Sequence, residues 1–165
     1  MLPPYPSHAP ANFDCVFCRI VREAVPALAA RHPSDVVYQS ECCTAFLAIH
    51  RWQSIPLTVL VVPNEHYENL YTLPVRYAEP LHSLTRSVAL ALKGLYNCDG
   101  ISTRQHNEPA GNQDVWHYHV HVTPRYHQDD LYRSSKIAFP EEERLAEAAR
   151  LRDFIAAHQA ELFEP

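Results

Sequence analysis

The chain lacks several features, and each absence narrows what it can be. It has no excess of positive charge: 14 lysines and arginines stand against 19 acids, a formal net charge of −5. A basic footprint for duplex nucleic acid is therefore missing, although a small local site for a phosphate ester is allowed. No apolar run approaches the roughly 18 residues that a membrane-spanning helix needs. The opening residues, MLPPYPSHAPANFD, have neither the basic segment nor the apolar stretch of a secretory signal. Their prolines read as an extended arm over residues 1–14, and a cytoplasmic location is the default expectation. An even set of cysteines is missing too. There are five, at 15, 18, 42, 43 and 98, with no secretion signal, which argues against a disulfide framework. Cys42 and Cys43 read as small apolar residues at a strand start, and Cys98 as buried filler in a turn after a helix.

What is present suits one domain, residues 15–165. The 165 residues are 47% apolar, enough for a core. CVFCRIVREAV has room for about three helical turns ending before Pro26. DVVYQS and TAFLAI read as a hairpin, and TVLVVP as a central strand. NEHYENLYTL reads as a helical turn or two with Asn64 as N-cap. The longest helix candidate begins near PVRYAEP, with Pro80 kinking it or opening its main part. GISTRQH and VWHYHVHVTP read as further strands. PEEERLAEAARLRDFIAAHQAEL reads as a C-terminal helix with Leu145, Ala149, Arg152 and Ile155 or Ala156 along one side. About five strands and two or three helices in mixed order imply an α+β fold with an antiparallel sheet, a long helix and a C-terminal helix.

The most informative segment is WHYHVHVTPRY, residues 116–126. In a strand, alternate side chains share a face, so His117, His119 and His121 face one way while Tyr118, Val120 and Val122 face a core. A buried face would need a hydrogen-bond partner for each ring, and an exposed face would gain nothing from such regularity. Two chemistries fit: three histidines around a catalytic zinc, or one imidazole attacking an electrophile while its neighbours orient it. The preceding HNEPAGNQDVW supplies Asn107, Gly111, Asn112 and Gln113, amide donors suited to an oxyanion and unusual company for zinc. Cys15-x-x-Cys18 is a redox pair, half of a metal site, or an accident of spacing. The apolar residues between the cysteines, and the lack of a surrounding βαβ pattern, argue against redox.

Asn107 to Arg125 resembles the signature of the histidine triad (HIT) proteins. The likeness extends to DCVFCRIV, TAFLAI and VLVVPNEHYENLYTL in the same order, and so covers most of residues 13 to 126. The resemblance implies a HIT-like fold. It also implies a nucleotide hydrolase or transferase that acts on phosphoramidates, dinucleoside polyphosphates or nucleotidyl sugars through a covalent nucleotidyl-histidine. By the same resemblance His119 is the nucleophile, His121 contacts the α-phosphate or bridging atom, and Gln113 and Asn107 hold phosphate oxygens and the scissile linkage. Cys15, Cys18, His66 and His117 would bind a structural zinc, and the chain would form a homodimer. Under this reading the three histidines are the seam between a zinc staple and an active site.

Four positions depart from the family pattern. Ala48 stands where many members carry a ribose-binding aspartate, Leu57 and Thr58 where many have Gly-His, and Asp114 where a Ser or Thr often follows the loop glutamine. An ionised aspartate cannot donate to phosphate and would repel it unless it turned away, for instance toward a histidine. Base and ribose recognition therefore stays open. Trp52 is open between stacking on a base and packing. The loop carrying Arg125, His127, Asp129 and Asp130 is open between a solvated surface and specificity at the site mouth. His8, His32, His82, His106 and His158 read as surface or packing residues. A nucleotide-sensing module with little turnover and a triad-based zinc hydrolase are the competing readings.

Overall fold

The apolar run TVLVVP becomes the middle of a sheet. Val59–Pro63 (β4) is buried at every position. Val59 and Val61 enter one core cluster, and Leu60 and Val62 enter another on the opposite face. Both faces are covered, so the strand reads as continuously apolar instead of alternating. The computed structural model describes residues 5–30 and 34–164, with residues 25–30 as backbone only; the expectations for the first four residues of the arm and for His32 lie outside the described residues. Val36–Gln39 (β1) and Cys43–Leu47 (β2) form the expected hairpin. With β4, Gly100–Gln105 (β5) and Val120–Arg125 (β6) they make a five-stranded antiparallel sheet of order β1-β2-β4-β6-β5.

Helices cover both faces. One face packs against Ala78–Tyr96 (α2), Glu141–Ala157 (α3) and Gln159–Phe163 (α4), through Leu81, Leu84, Val88, Leu92, Leu151 and Leu162. Each such side chain removed from water stabilises the fold by about 1.5–3 kcal/mol. Gly94 lets α2 and α3 approach closely, since a Cβ there would lie 2.6 Å from Phe154 Cζ. The other face receives Val16–Ala30 (α1), whose Phe17 and Ala24 pack with Phe46, Leu60 and Val62. A small second sheet pairs His50–Trp52 (β3) with Lys136–Ala138 (β7). Among the described residues no helix is long and apolar enough to cross a membrane.

Four local expectations are corrected. α1 runs past Pro26 to Ala30; proline removes one N–H from the ladder, and that single loss does not end the helix. Residues 64–73 are not helical. Asn64 donates to the carbonyls of Ser40 and Glu41, and Asn69 Oδ1 accepts from Tyr71 N and Thr72 N, so these amides close turns. The C-terminal helix breaks at His158 (φ −118), whose Nδ1 bonds the Phe154 carbonyl. Its buried residues are Ala148, Leu151 and Ile155, with Leu145 and Ala149 only partly covered. The histidine strand begins at Val120, so only His121 lies in the ladder. β5 ends at Gln105, opposite Val120, and the pairing with β4 ends at Val61 and Val120 although β4 itself runs on to Pro63, so residues 115–119 have no strand partner. Their backbone bonds outside the ladder instead, His117 N to the nearby Val115 O and Tyr118 N to Tyr67 O in the turn region after β4.

Candidate active site and metal centre

The alternation of the histidine segment survives even where the ladder does not. Tyr118 and Val122 enter the core against α2. The rings of His117 and His119 meet Phe17 of α1 edge-on, at 5.9 and 5.3 Å between centroids, and His119 lies 4.9 Å from His121. The three histidines thus share one face of the molecule and are divided between two sites.

His117 belongs to the first. It is fully buried, and its Nε2–H donates to the Pro63 carbonyl at 3.0 Å. A carbonyl only accepts, so this bond fixes the tautomer and leaves the Nδ1 lone pair free. Nδ1 lies 3.3 Å from Cys15 Sγ and 3.6 Å from Cys18 Sγ, and His66 Nδ1 lies 3.4 Å from Cys18 Sγ. The four ligand atoms all fall within 4.8 Å of one another. Tetrahedral zinc, with bonds of about 2.0 Å to nitrogen and 2.3 Å to sulfur, asks for ligand atoms roughly 3.3–3.8 Å apart. The donors and their spacing fit that ion, and the Pro63 carbonyl is the outer partner that a ligating histidine commonly has. Burial pushes His117 down to about 4, and burial with the neighbouring Cys15 pushes the Cys18 thiol up to about 11.

His119 and His121 belong to the second site. His119, 2% exposed, donates Nδ1–H to the His117 carbonyl at 2.7 Å, so its free Nε2 faces a cavity of about 440 Å3. Asp114 Oδ1 lies 3.9 Å from that Nε2, and Lys136 Nζ lies 3.8 Å from Asp114 Oδ2. Burial lowers the basicity of His119. His121 is pushed down to about 3, first by burial and then by His119, His106 and the cations Arg104 and Lys136. Both rings are neutral at pH 7. The cavity wall is apolar on the side of Val16, Phe17, Ile20, Phe46, Ala48 and Ile49, and polar on the side of Arg104, His106, Asn112, Asp114 and Lys136.

The two remaining predicted residues do not line this cavity. Gln113 is buried and spent on backbone: Oε1 accepts from Glu108 N at 2.8 Å, and Nε2 donates to Glu68 O at 2.5 Å and Val115 O at 3.0 Å. Asn107 Oδ1 accepts from Leu70 N and from Gln105 Nε2. Both amides hold the loop over residues 105–115 against residues 68–70. Asp114 is turned toward His119. Thr58 lines the cavity and is hydrogen-bonded to Thr123 at 3.1 Å. Trp52 reaches the cavity on β3, and the loop after β6 is more than solvated surface: Asp129 is buried in a bidentate pair with Arg125, and the chain then carries Lys136 over the site. The sequence reading missed Phe17, Arg104 and Lys136 and gave His106 no role. Arg104 and His106 sit two apart, so one reached the same face as the other; the signal was that parity.

A model of the HIT domain matches residues 29–128. The protein named Protein hit of Bacillus subtilis is 32% identical, over 71% of this chain and 74% of that protein. Adenylylsulfatase HINT3 of Arabidopsis thaliana is 26% identical over 92% of this chain and 72% of that protein. Among solved structures, a zinc-bound histidine triad family protein from Mycobacterium smegmatis superposes with a TM-score of 0.71 at 25% identity, covering 90% of this chain and 97% of that one.

Proposed function

The chain belongs to the histidine triad (HIT) family, and we propose on that basis that it is a nucleotide hydrolase or nucleotidyl transferase working through a covalent nucleotidyl-His119 intermediate. The observation that carries this reading is the orientation of His119: the His117 carbonyl holds Nδ1–H, and Nε2 is aimed into the cavity. A neutral imidazole so oriented is a usable nucleophile at pH 7. In the first step Nε2 bonds to the α-phosphorus, and the bond from phosphorus to the leaving atom breaks with its electron pair. The positive charge that develops on the ring is stabilised by the His117 carbonyl and by Asp114. In the second step water attacks phosphorus, the P–Nε2 bond returns its pair to the ring, and the water proton passes to solvent. His121, 4.9 Å from His119, contacts the phosphate, and the catalytic work is positioning and electrostatics. In this reading Gln113 and Asn107 act on substrate through the loop they hold.

Zinc at Cys15, Cys18, His66 and His117 belongs to the same reading. All four protein ligands are present, so the ion's part is structural: bound there, it ties the start of α1 to the triad. A zinc hydrolase built on the triad is less well supported, because His117 faces the thiols and the Nδ1 of His119 is occupied by a carbonyl. A homodimer is supported by the exposed apolar residues Leu70, Tyr71 and Val75 ahead of α2, the last 89% exposed, and a monomer by light scattering at micromolar concentration would overturn it. We place the protein in the cytoplasm. The test of the activity is a single-turnover reaction with labelled nucleotide substrate quenched in base, where phosphohistidine survives. Label retained by wild type and absent from His119→Ala supports the mechanism. Binding without any turnover or label would favour the sensing module instead.

A further inference from the structure

One row of residues crosses the sheet through the site. Phe46 of β2 is the register partner of Leu60 of β4, Leu60 of His121 on β6, and His121 of Arg104 on β5. Neighbouring strands lie about 4.8 Å apart, so Arg104 begins one strand beyond the histidines and Phe46 two strands before them. The order of the strands therefore gives the cavity two ends, an apolar one at β2 and α1 and a cationic one at β5.

Arg104 is only partly exposed. Its guanidinium lies 5.8 Å from the Trp52 ring and 5.4 Å from the Tyr132 ring. Among the described residues no carboxylate pairs with it and no side-chain hydrogen bond uses its donors. Other arginines here do have acidic partners, as Arg51 has Glu143, Arg125 has Asp129 and Arg144 has Asp35. A half-buried cation held between two rings with its donors free is prepared for an anion that comes with the ligand. Lys136 is the register partner of Trp52 across the small sheet and lines the same end of the cavity. Its contact with the exposed Asp114 is long, 3.8 Å, and weak. The Asp114 carboxylate, bridging from His119 Nε2 to Lys136 Nζ, already puts anionic oxygen between the nucleophile and this lysine.

We propose that Arg104 and Lys136 form a subsite for the leaving group, and that the preferred substrates are nucleotides whose leaving group is itself an oxyanion: a phosphate, a longer phosphate chain, or sulfate. The identity of the group as a leaving group rests on the nucleotidyl-transfer reading above. When His119 Nε2 bonds to the α-phosphorus, the P–O bond breaks and its electron pair stays on the departing oxygen, which leaves as an anion without needing a proton. Two cations meet that charge. An amine leaving group, by contrast, departs only after taking up a proton and gains nothing from them. The apolar end at Phe46 and Ile20 receives the base.

The test compares substrates that share an adenylyl group: adenosine phosphoramidate, diadenosine triphosphate and adenosine phosphosulfate. The readout is the ratio of kcat/KM for an anionic leaving group to that for the amine. Arg104→Gln and Lys136→Gln should each lower the ratio about tenfold, the double variant should lower it further, and Arg104→Lys should recover part of it. A larger drop with the triphosphate assigns the subsite to a phosphate chain, and a larger drop with the phosphosulfate assigns it to sulfate. A purely structural role for Arg104 would lower all three rates together and leave the ratio where it was, which would overturn the proposal. Inorganic triphosphate binding to the full chain, measured by calorimetry, does not depend on turnover. Binding about tenfold weaker in the double variant supports the subsite and equal binding refutes it, even if wild type turns over none of the three substrates and the functional reading fails.

Discussion

His117 and His119 are two residues apart and have opposite chemistry. Each ring is held by a backbone carbonyl, but through different nitrogens: His117 gives Nε2–H to Pro63 and keeps Nδ1 for two thiols, while His119 gives Nδ1–H to His117 and keeps Nε2 for the cavity. The carbonyl that takes the proton decides which nitrogen is left with a lone pair. The two sites are joined at one atom, since the oxygen that orients His119 belongs to His117. Phe17, between Cys15 and Cys18 in sequence, packs its edge on both rings. The difference teaches that a repeated residue type need not be a repeated function; in the proposed function, tautomer separates a metal ligand from a nucleophile.

The comparison breaks most sharply at the nucleophile. His119→Ala should lower turnover by about a thousandfold or more, the scale on which nucleophile deletions act, while nucleotide still binds through the rest of the cavity. Equal turnover in His119→Ala on a validated substrate would remove the distinction between the two histidines. The next largest effect lies on the other side. Protein purified without chelators should carry near-stoichiometric zinc, and Cys15→Ser with Cys18→Ser should abolish it and lower Tm by about 5 °C or more, because metal binding is linked to folding. Unchanged zinc content in that variant would refute the assignment.

Gln113 tests whether the two sites communicate through the loop as well as through His117. Its amide bridges Glu68, two residues from His66, to Val115 and Glu108, which flank Asp114. Gln113→Ala leaves one N–H and two carbonyls without their partner, a cost of about 1–3 kcal/mol, and should slow turnover only several-fold. A loss as large as that of His119→Ala would mean that Gln113 touches the reacting phosphate.

Much of this was legible in the sequence because it depends on local period. The alternation of His117 to Val122 follows from a repeat of two, and the two-faced burial of β4 from the unbroken apolar run TVLVVP after the hairpin. What was not legible depends on partners far along the chain. Nothing in VWHYH says that β5 stops before reaching it and that β4 runs past without pairing to it, so the expected strand starts too early. Nothing in GISTRQH says that Arg104 faces His121, because that register is set by strand pairing across the loop of residues 106–119. Lys136 reaches the cavity only because a three-residue strand pairs with His50–Trp52, a sheet too short to mark itself in the sequence. Asn64 reads as a helix N-cap in the sequence, and its amide, like that of Asn69 in the same stretch, instead closes a turn beside His66 and Glu68.

The smallest expected effect concerns pH, and it separates His121 from an ordinary surface histidine. His121 is held down to about 3 by burial and by the positive groups around it, whereas in the unfolded chain its pKa is about 6.5. Above about pH 6.5 the ring is neutral in both states and adds no pH dependence. Below that, the unfolded chain takes up a proton that the folded chain refuses, so the unfolded state binds more protons and stability falls with falling pH until the folded ring also titrates near 3. Between pH 7 and pH 6 this should cost about 1–3 °C of Tm for a domain of this size. His121→Asn removes the titration and should flatten that part of the curve. The comparison is made on the zinc-free Cys15→Ser, Cys18→Ser background, so that metal release by acid does not contribute to the slope. Parallel Tm-against-pH curves for the two proteins would show that His121 titrates like a solvated imidazole, and the closed, neutral setting drawn for the triad's catalytic half would be wrong.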